Sequence, residues 1–158
     1  MTLGEDVLLH SGETDGILWN KKEIFSNGTI EFDLKGRNEP GRNFVGLAFH
    51  IQDSGHYDAI YFRPFNFENP KKNGNSLQYM TIPDNHWRKL RDNHPGVYEN
   101  PVSPIPTPDD WFHVRVEVNH PTVKVFVNDA TEPSLSVDKL TTYQAGGVGF
   151  WVGYQTEG

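Results

Sequence analysis

Apolar and polar side chains alternate along this chain with a period of two, the spacing at which a strand sends successive side chains to opposite faces. From Thr29 to Lys35, Ile30, Phe32 and Leu34 alternate with Glu31 and Asp33, which predicts a half-buried strand. Phe44 to His50 repeats the pattern, with Val45, Leu47 and Phe49 on one face and Phe44, Gly46, Ala48 and His50 on the other. Gln52-Asp53-Ser54-Gly55 is turn chemistry. His56 to Phe65 then resumes the alternation: Ile60 and Phe62 join the apolar face, while Tyr57, Tyr61 and Arg63 join the face of His50. Gly41 to Phe67 thus reads as a hairpin around which the chain is arranged. Trp111 to Asn119 is the clearest strand, Phe112, Val114, Val116 and Val118 pointing inward and Trp111, His113, Arg115 and Glu117 outward. His120-Pro121 turns the chain, and Val123, Val125 and Val127 continue the pattern. Shorter strands are expected at Val7 to His10, Ile17 to Trp19, Ser76 to Thr81, Ser134 to Val137 and Val148 to Tyr154. No helix of ordinary length is expected. About ten short strands between turns imply an all-β fold, a two-sheet antiparallel β-sandwich of the jelly-roll kind. Residues 1–158 are expected to form one such domain.

One segment breaks the rhythm. Residues 83–110 are irregular and proline-rich, and a connection of this length inside a compact domain is typically functional or disordered. His86, Trp87, Arg88, Arg91, Tyr98 and Glu99 argue for function, and Trp87 to Arg91 suits a single helical turn.

Charge narrows the partners. The net charge is −7 and no Lys/Arg run occurs; phosphate neutralisation needs clustered cations, so nucleic acid is not an expected partner. No apolar run approaches the roughly 20 residues of a membrane span, and no membrane association is expected. Cysteine is absent, which excludes disulfides and leaves the compartment open. The N-terminus lacks a basic n-region followed by an apolar h-region: the protein is cytoplasmic, or secreted or periplasmic if a signal has been removed. The sequence leaves the oligomeric state open.

A sheet face carrying imidazole, phenol and guanidinium groups suits a polar ligand with apolar faces, such as a sugar. Tyr57, Tyr61 and Trp87 would stack on sugar rings, and His50, Arg63, Asn66 and Gln78 would hydrogen-bond hydroxyls, with Arg91 and Tyr98 added from the irregular segment. Catalysis at the same place would draw a general base from His50 or His86 and an acid from Glu99 or Asp58, giving a glycoside hydrolase or lyase. A third reading is a protein-interaction module in which the face is merely packed. An open groove lined by Arg63 and Tyr61 would support the first two readings, a covered one the third. Glu31 and Asp33 share a strand face, as glycosidase carboxylates do at about 5 Å, but alternation alone predicts a solvated outer face there. Trp111, His113 and Arg115 make a second sugar-binding face conceivable. No paired histidines have a zinc spacing and no nucleophile elbow occurs; no metal ligand and no cofactor is assigned.

GTIEFDLKG, the hairpin, DWFHVRVEVN followed by VKVFVND, and GGVGFWVG together resemble the concanavalin A-like lectin/glucanase superfamily in its laminin-G-like form. Within it, the chain is most similar to the 3-keto-disaccharide hydrolases, which pair an Asn-x-Gly-x-x-Phe strand with one strand ending in Arg and another carrying Gln. The counterparts here are Asn43 with Gly46 and Phe49, then Arg63, then Gln78, with Phe44-Val45 standing between Asn43 and Gly46. The resemblance implies a carbohydrate ligand and makes a structural calcium conceivable, with Asp53, Asp58 and Asp92 as oxygen donors. Such domains usually close with a further strand. This chain ends at Tyr154 to Gly158, so a sheet edge is left unpaired unless the N-terminal segment covers it.

Overall fold

The computed structural model describes residues 6–158. Ten strands run in chain order: β1 Gly16–Trp19, β2 Gly28–Lys35, β3 Val45–Asp53, β4 His56–Phe62, β5 Leu77–Ile82, β6 Glu99–Asn100, β7 Trp111–Asn119, β8 Thr122–Val127, β9 Leu135–Asp138 and β10 Gly147–Val152. They form a six-stranded sheet, β1-β10-β3-β4-β5-β6, and a four-stranded sheet, β2-β7-β8-β9, with every pairing antiparallel. The fold is the jelly-roll sandwich that the alternation implied.

The apolar parity of each strand faces the space between the sheets. Val45, Leu47, Phe49, Ile60, Phe62, Leu77 and Tyr79 of one sheet meet Leu34, Phe112, Val114, Val116, Val118, Val123 and Val125 of the other. Phe62 is fully buried, with its ring centroid 5.0 Å from Phe112 and 6.4 Å from Phe67, both edge to face.

One expectation needs correction. Val7 to His10 is not a strand; it contributes a single bridge, His10 with Glu157, and main-chain bonds from Leu9 and Ser11 to the C-terminal residues. The feared open edge is filled from the N-terminal side, because β1 pairs along β10 from Gly16–Val152 to Trp19–Gly149. The irregular segment also has more order than its prolines suggested. Trp87–Asn93 forms a helix, α1, and Glu99–Asn100 adds strand β6 to β5. A helix this short is marginal on its own. It is held by Leu90, 2% exposed, which packs with Met80 and Tyr61, and by a salt bridge from Arg91 to Glu99 of β6. Among the described residues, no helix is long and apolar enough to cross a membrane.

Candidate functional site

The second parity of β3, β4, β5 and β10 points away from the four-stranded sheet. Ala48, Ala59 and Met80 form a low floor there, with Tyr57, Tyr61 and Trp151 beside them. Gly46 pairs with Tyr61 on one side and Trp151 on the other. A Cβ at Gly46 would lie 2.6 Å from the Tyr61 Cα; with no side chain between them, the two rings close to a centroid distance of 4.9 Å.

Arg63, just beyond β4, is 6% exposed and is held on several sides. Its Nη2 donates to Gln78 Oε1 at 2.8 Å and to the Tyr61 hydroxyl, and its Nη1 donates to the Asn75 carbonyl at 2.8 Å. Gln78 Nε2 donates to the Trp87 carbonyl at 3.1 Å, tying the sheet to α1. On α1, Arg91 grips the Glu99 carboxylate through Nε at 2.9 Å and Nη2 at 2.8 Å. The guanidinium carbons of Arg63, Arg88 and Arg91 lie 5.9, 5.1 and 5.0 Å from the Trp87 ring centroid, within cation–π reach. Burial pushes the Tyr61 hydroxyl well above its ordinary pKa and Tyr57 up to about 12, so both stay protonated.

These groups line a groove of about 720 Å³. Phe44, Phe65, Trp87, Trp151 and Tyr154 supply its apolar walls; Arg63, Asn66, His86, Arg91, Lys72 and Asp15 supply its polar groups.

The expected residues are therefore only partly assembled. Tyr61, Arg63, Asn66, His86, Trp87 and Arg91 share the groove. Gln78, fully buried, lies behind Arg63 as its acceptor. Tyr57 is 3% exposed and its hydroxyl accepts from Trp151 Nε1 at 3.2 Å, which leaves no free ring for stacking. Tyr98 packs its ring 6.0 Å from Tyr79 and 5.7 Å from His94, as a loop anchor. Glu99 is engaged by Arg91 rather than presented as an acid.

His50 and Asp58 are not in the groove. A register irregularity lies between Phe49 and Asp53, and His50 has φ of +47°; the bulge turns its ring off the face of Tyr61 and Arg63. His50 Nε2 donates to the Ser26 carbonyl at 2.6 Å, and Nδ1 accepts from Lys139 Nζ, also at 2.6 Å. Asp58 shares the parity of Ile60 and Phe62, and lies 3.3 Å from Lys139 with both side chains fully buried. It also accepts from the hydroxyls of Tyr79 and Thr141. This cluster clips the segment after β9 to the six-stranded sheet.

The two bonds of His50 require a neutral ring, and burial, the largest influence, lowers its pKa below 6.5. The unfolded chain therefore binds the extra proton first. Stability is complete above pH 6.5 and falls as acid carries the solution down towards the lowered folded value. Urea midpoints at pH 7.5 and pH 5 should fall further in wild type than in His50→Gln. Equal falls would remove His50 as the cause, since the opposing contribution of His113, whose pKa Asp33 raises, is common to both proteins.

Glu31 and Asp33 lie on the outer face of the other sheet, where His113 bridges them, Nδ1 to Asp33 at 2.8 Å and Nε2 to Glu31 at 3.6 Å. Asp53 caps its own hairpin through Gly55 and His56, apart from buried Asp58, and no cluster of three or more His, Asp or Glu side chains able to hold a metal ion occurs among the described residues.

Residues 3–151 match the model of the 3-keto-alpha-glucoside-1,2-lyase-like domain. The chain belongs to this family. No curated protein matches it. In solved structures, this 3-keto-alpha-glucoside-1,2-lyase-like domain is similar to the carbohydrate binding module CBM66 from Bacillus subtilis, at 13% identity and a TM-score of 0.62 over 93% of this chain and 78% of that one. It is similar to a protein of unknown function with a galectin-like fold from the same organism, at 14% identity and 0.60 over 95% and 77%. It is also similar to Xenopus laevis galectin-Ib, at 15% identity and 0.52 over 90% and 95%. At these identities the likeness is one of fold, while the family relates the domain to carbohydrate. The residues of the groove that sequence reasoning passed over include Phe44, Phe65, Lys72, Trp151, Tyr154 and Asp15. Parity marked Phe44 and Trp151; nothing local marked Asp15 and Tyr154, which meet through a bond from the Tyr154 N–H to Asp15 at 3.1 Å.

Proposed function

We propose that this domain binds a carbohydrate in the groove above the six-stranded sheet. The observation that carries the reading is Arg63: a buried guanidinium, oriented by Tyr61, Gln78 and Asn75, at an opening walled by Phe44, Phe65 and Trp87. Aromatic walls accept the C–H faces of a sugar, and a fixed guanidinium donates to its hydroxyls without losing side-chain freedom on binding. The family supports the same ligand class.

His86 favours a second reading. It lines the groove, and a lyase acting there would need a base at the sugar; among the described residues Asp15 is the groove's one lining carboxylate. His50, Asp58 and Glu99 have other partners, so a catalytic reading rests on His86 and Asp15.

A disaccharide panel titrated against the tryptophan fluorescence of the domain, with product analysis of each binder, tests both. Saturable binding is expected, weakened roughly 10- to 100-fold in Arg63→Gln, the size of a hydrogen bond to a charged group. Unchanged affinity in a folded Arg63→Gln variant would remove the groove as the site. Cleaved product, lost in His86→Ala, would make the domain an enzyme.

A further inference from the structure

The charges around the groove do not balance. Among the described residues, Arg63, Lys72 and Arg91 line it against the single carboxylate of Asp15, in a chain whose net charge is −7. Glu99 lies behind Arg91 and grips it through two nitrogens, so that pair neutralises itself. Arg63 has only neutral hydrogen-bond acceptors: a phenol, an amide oxygen and a peptide carbonyl. Among the described residues it has no salt bridge. A buried cation with no carboxylate in hydrogen-bond contact is costly to maintain, and burial lowers its pKa despite the opposing influence of Glu99 behind Arg91. Trp87 adds to the asymmetry, because its ring gathers Arg63, Arg88 and Arg91 at the groove wall. The Nη1 of Arg91 makes no hydrogen bond with the described residues, leaving donors beyond those used on Glu99.

We infer that the sugar this groove takes is negatively charged, with a carboxylate or an ester sulfate seated between Arg63 and Arg91. The inference rests on the carbohydrate reading above and narrows it. A neutral sugar would satisfy donors and leave the excess positive charge in place; an anion would satisfy both, with charge-assisted bonds that are stronger than neutral ones.

The test is a matched trio, methyl glucoside, methyl glucuronide and methyl glucoside 6-sulfate, with the corresponding galactosides, titrated by calorimetry at low and high sodium chloride. At least one charged sugar should bind about tenfold tighter than its neutral partner at low salt, and the margin should shrink as salt screens it. The uronide and sulfate arms tell the two sources of charge apart. In Arg91→Gln the margin should fall; since that change also frees Glu99, Lys72→Gln at the exposed rim provides a second variant in which it should shrink. Equal affinity for neutral and charged partners would overturn the inference and leave the carbohydrate reading standing. Binding of neither would overturn both.

Discussion

Asp58→Ala should destabilise the domain by about 3–5 kcal/mol, the range for removing one member of a buried ion pair. The loss arises from what remains. Lys139, its side chain also fully buried, would be left beside His50 with no carboxylate at 3.3 Å, and the hydroxyls of Tyr79 and Thr141 would lose their acceptor. Removing both charges should hurt less: the double variant Asp58→Ala, Lys139→Met leaves no orphaned ion and should recover a large part of the deficit. Urea unfolding of the wild type and these two variants measures this directly. A single-variant loss below about 1 kcal/mol, or a double variant no better than Asp58→Ala, would show that the pair is not what holds the segment after β9 in place.

Phe62→Ala is the second large effect, about 3–5 kcal/mol, through the cavity left in a core that cannot close around it. Phe62 is fully buried and meets Phe112 of the opposite sheet at 5.0 Å, so its loss opens a gap between the sheets. The midpoint of denaturant unfolding should drop at an unchanged slope. A variant losing under about 1 kcal/mol would mean that the sheets settle together and refill the space.

What could be read from the sequence follows the physics of burial. In β2 and β7 the core face is apolar and the outer face polar, so Ile30, Phe32, Leu34 and the valines of β7 alternate, and the valines of β8 keep the same period although Phe126 is buried on the outer face. The hairpin of β3 and β4 was legible as far as Phe49 because Val45, Leu47, Phe49, Ile60 and Phe62 keep one parity, although both of its faces are buried. Past Phe49, the register of β3 against β4 shifts by two residues, which no pattern of hydrophobicity records, and His50 turns from the expected face to the Lys139 cluster. Lys139 gave no signal, because it sits beyond β9 where no period operates. Arg63, Trp87 and Arg91 stood out by chemistry and do share the groove. That Glu99 is a partner for Arg91 rather than a free acid depends on α1 meeting β6, a tertiary contact invisible to local reading.

The pairing of the two ends has a mechanical consequence. Leu9 and Gly158 exchange main-chain bonds of 2.7 and 3.0 Å, Ser11 donates to Thr156 and Gln155 to Gly12, and β1 continues the same antiparallel course along β10. Tension applied between residues 9 and 158 would act across this ladder instead of along it. The bonds would then be loaded one after another, as in a zipper, and the seam would open at low force before any load reached the core between the sheets.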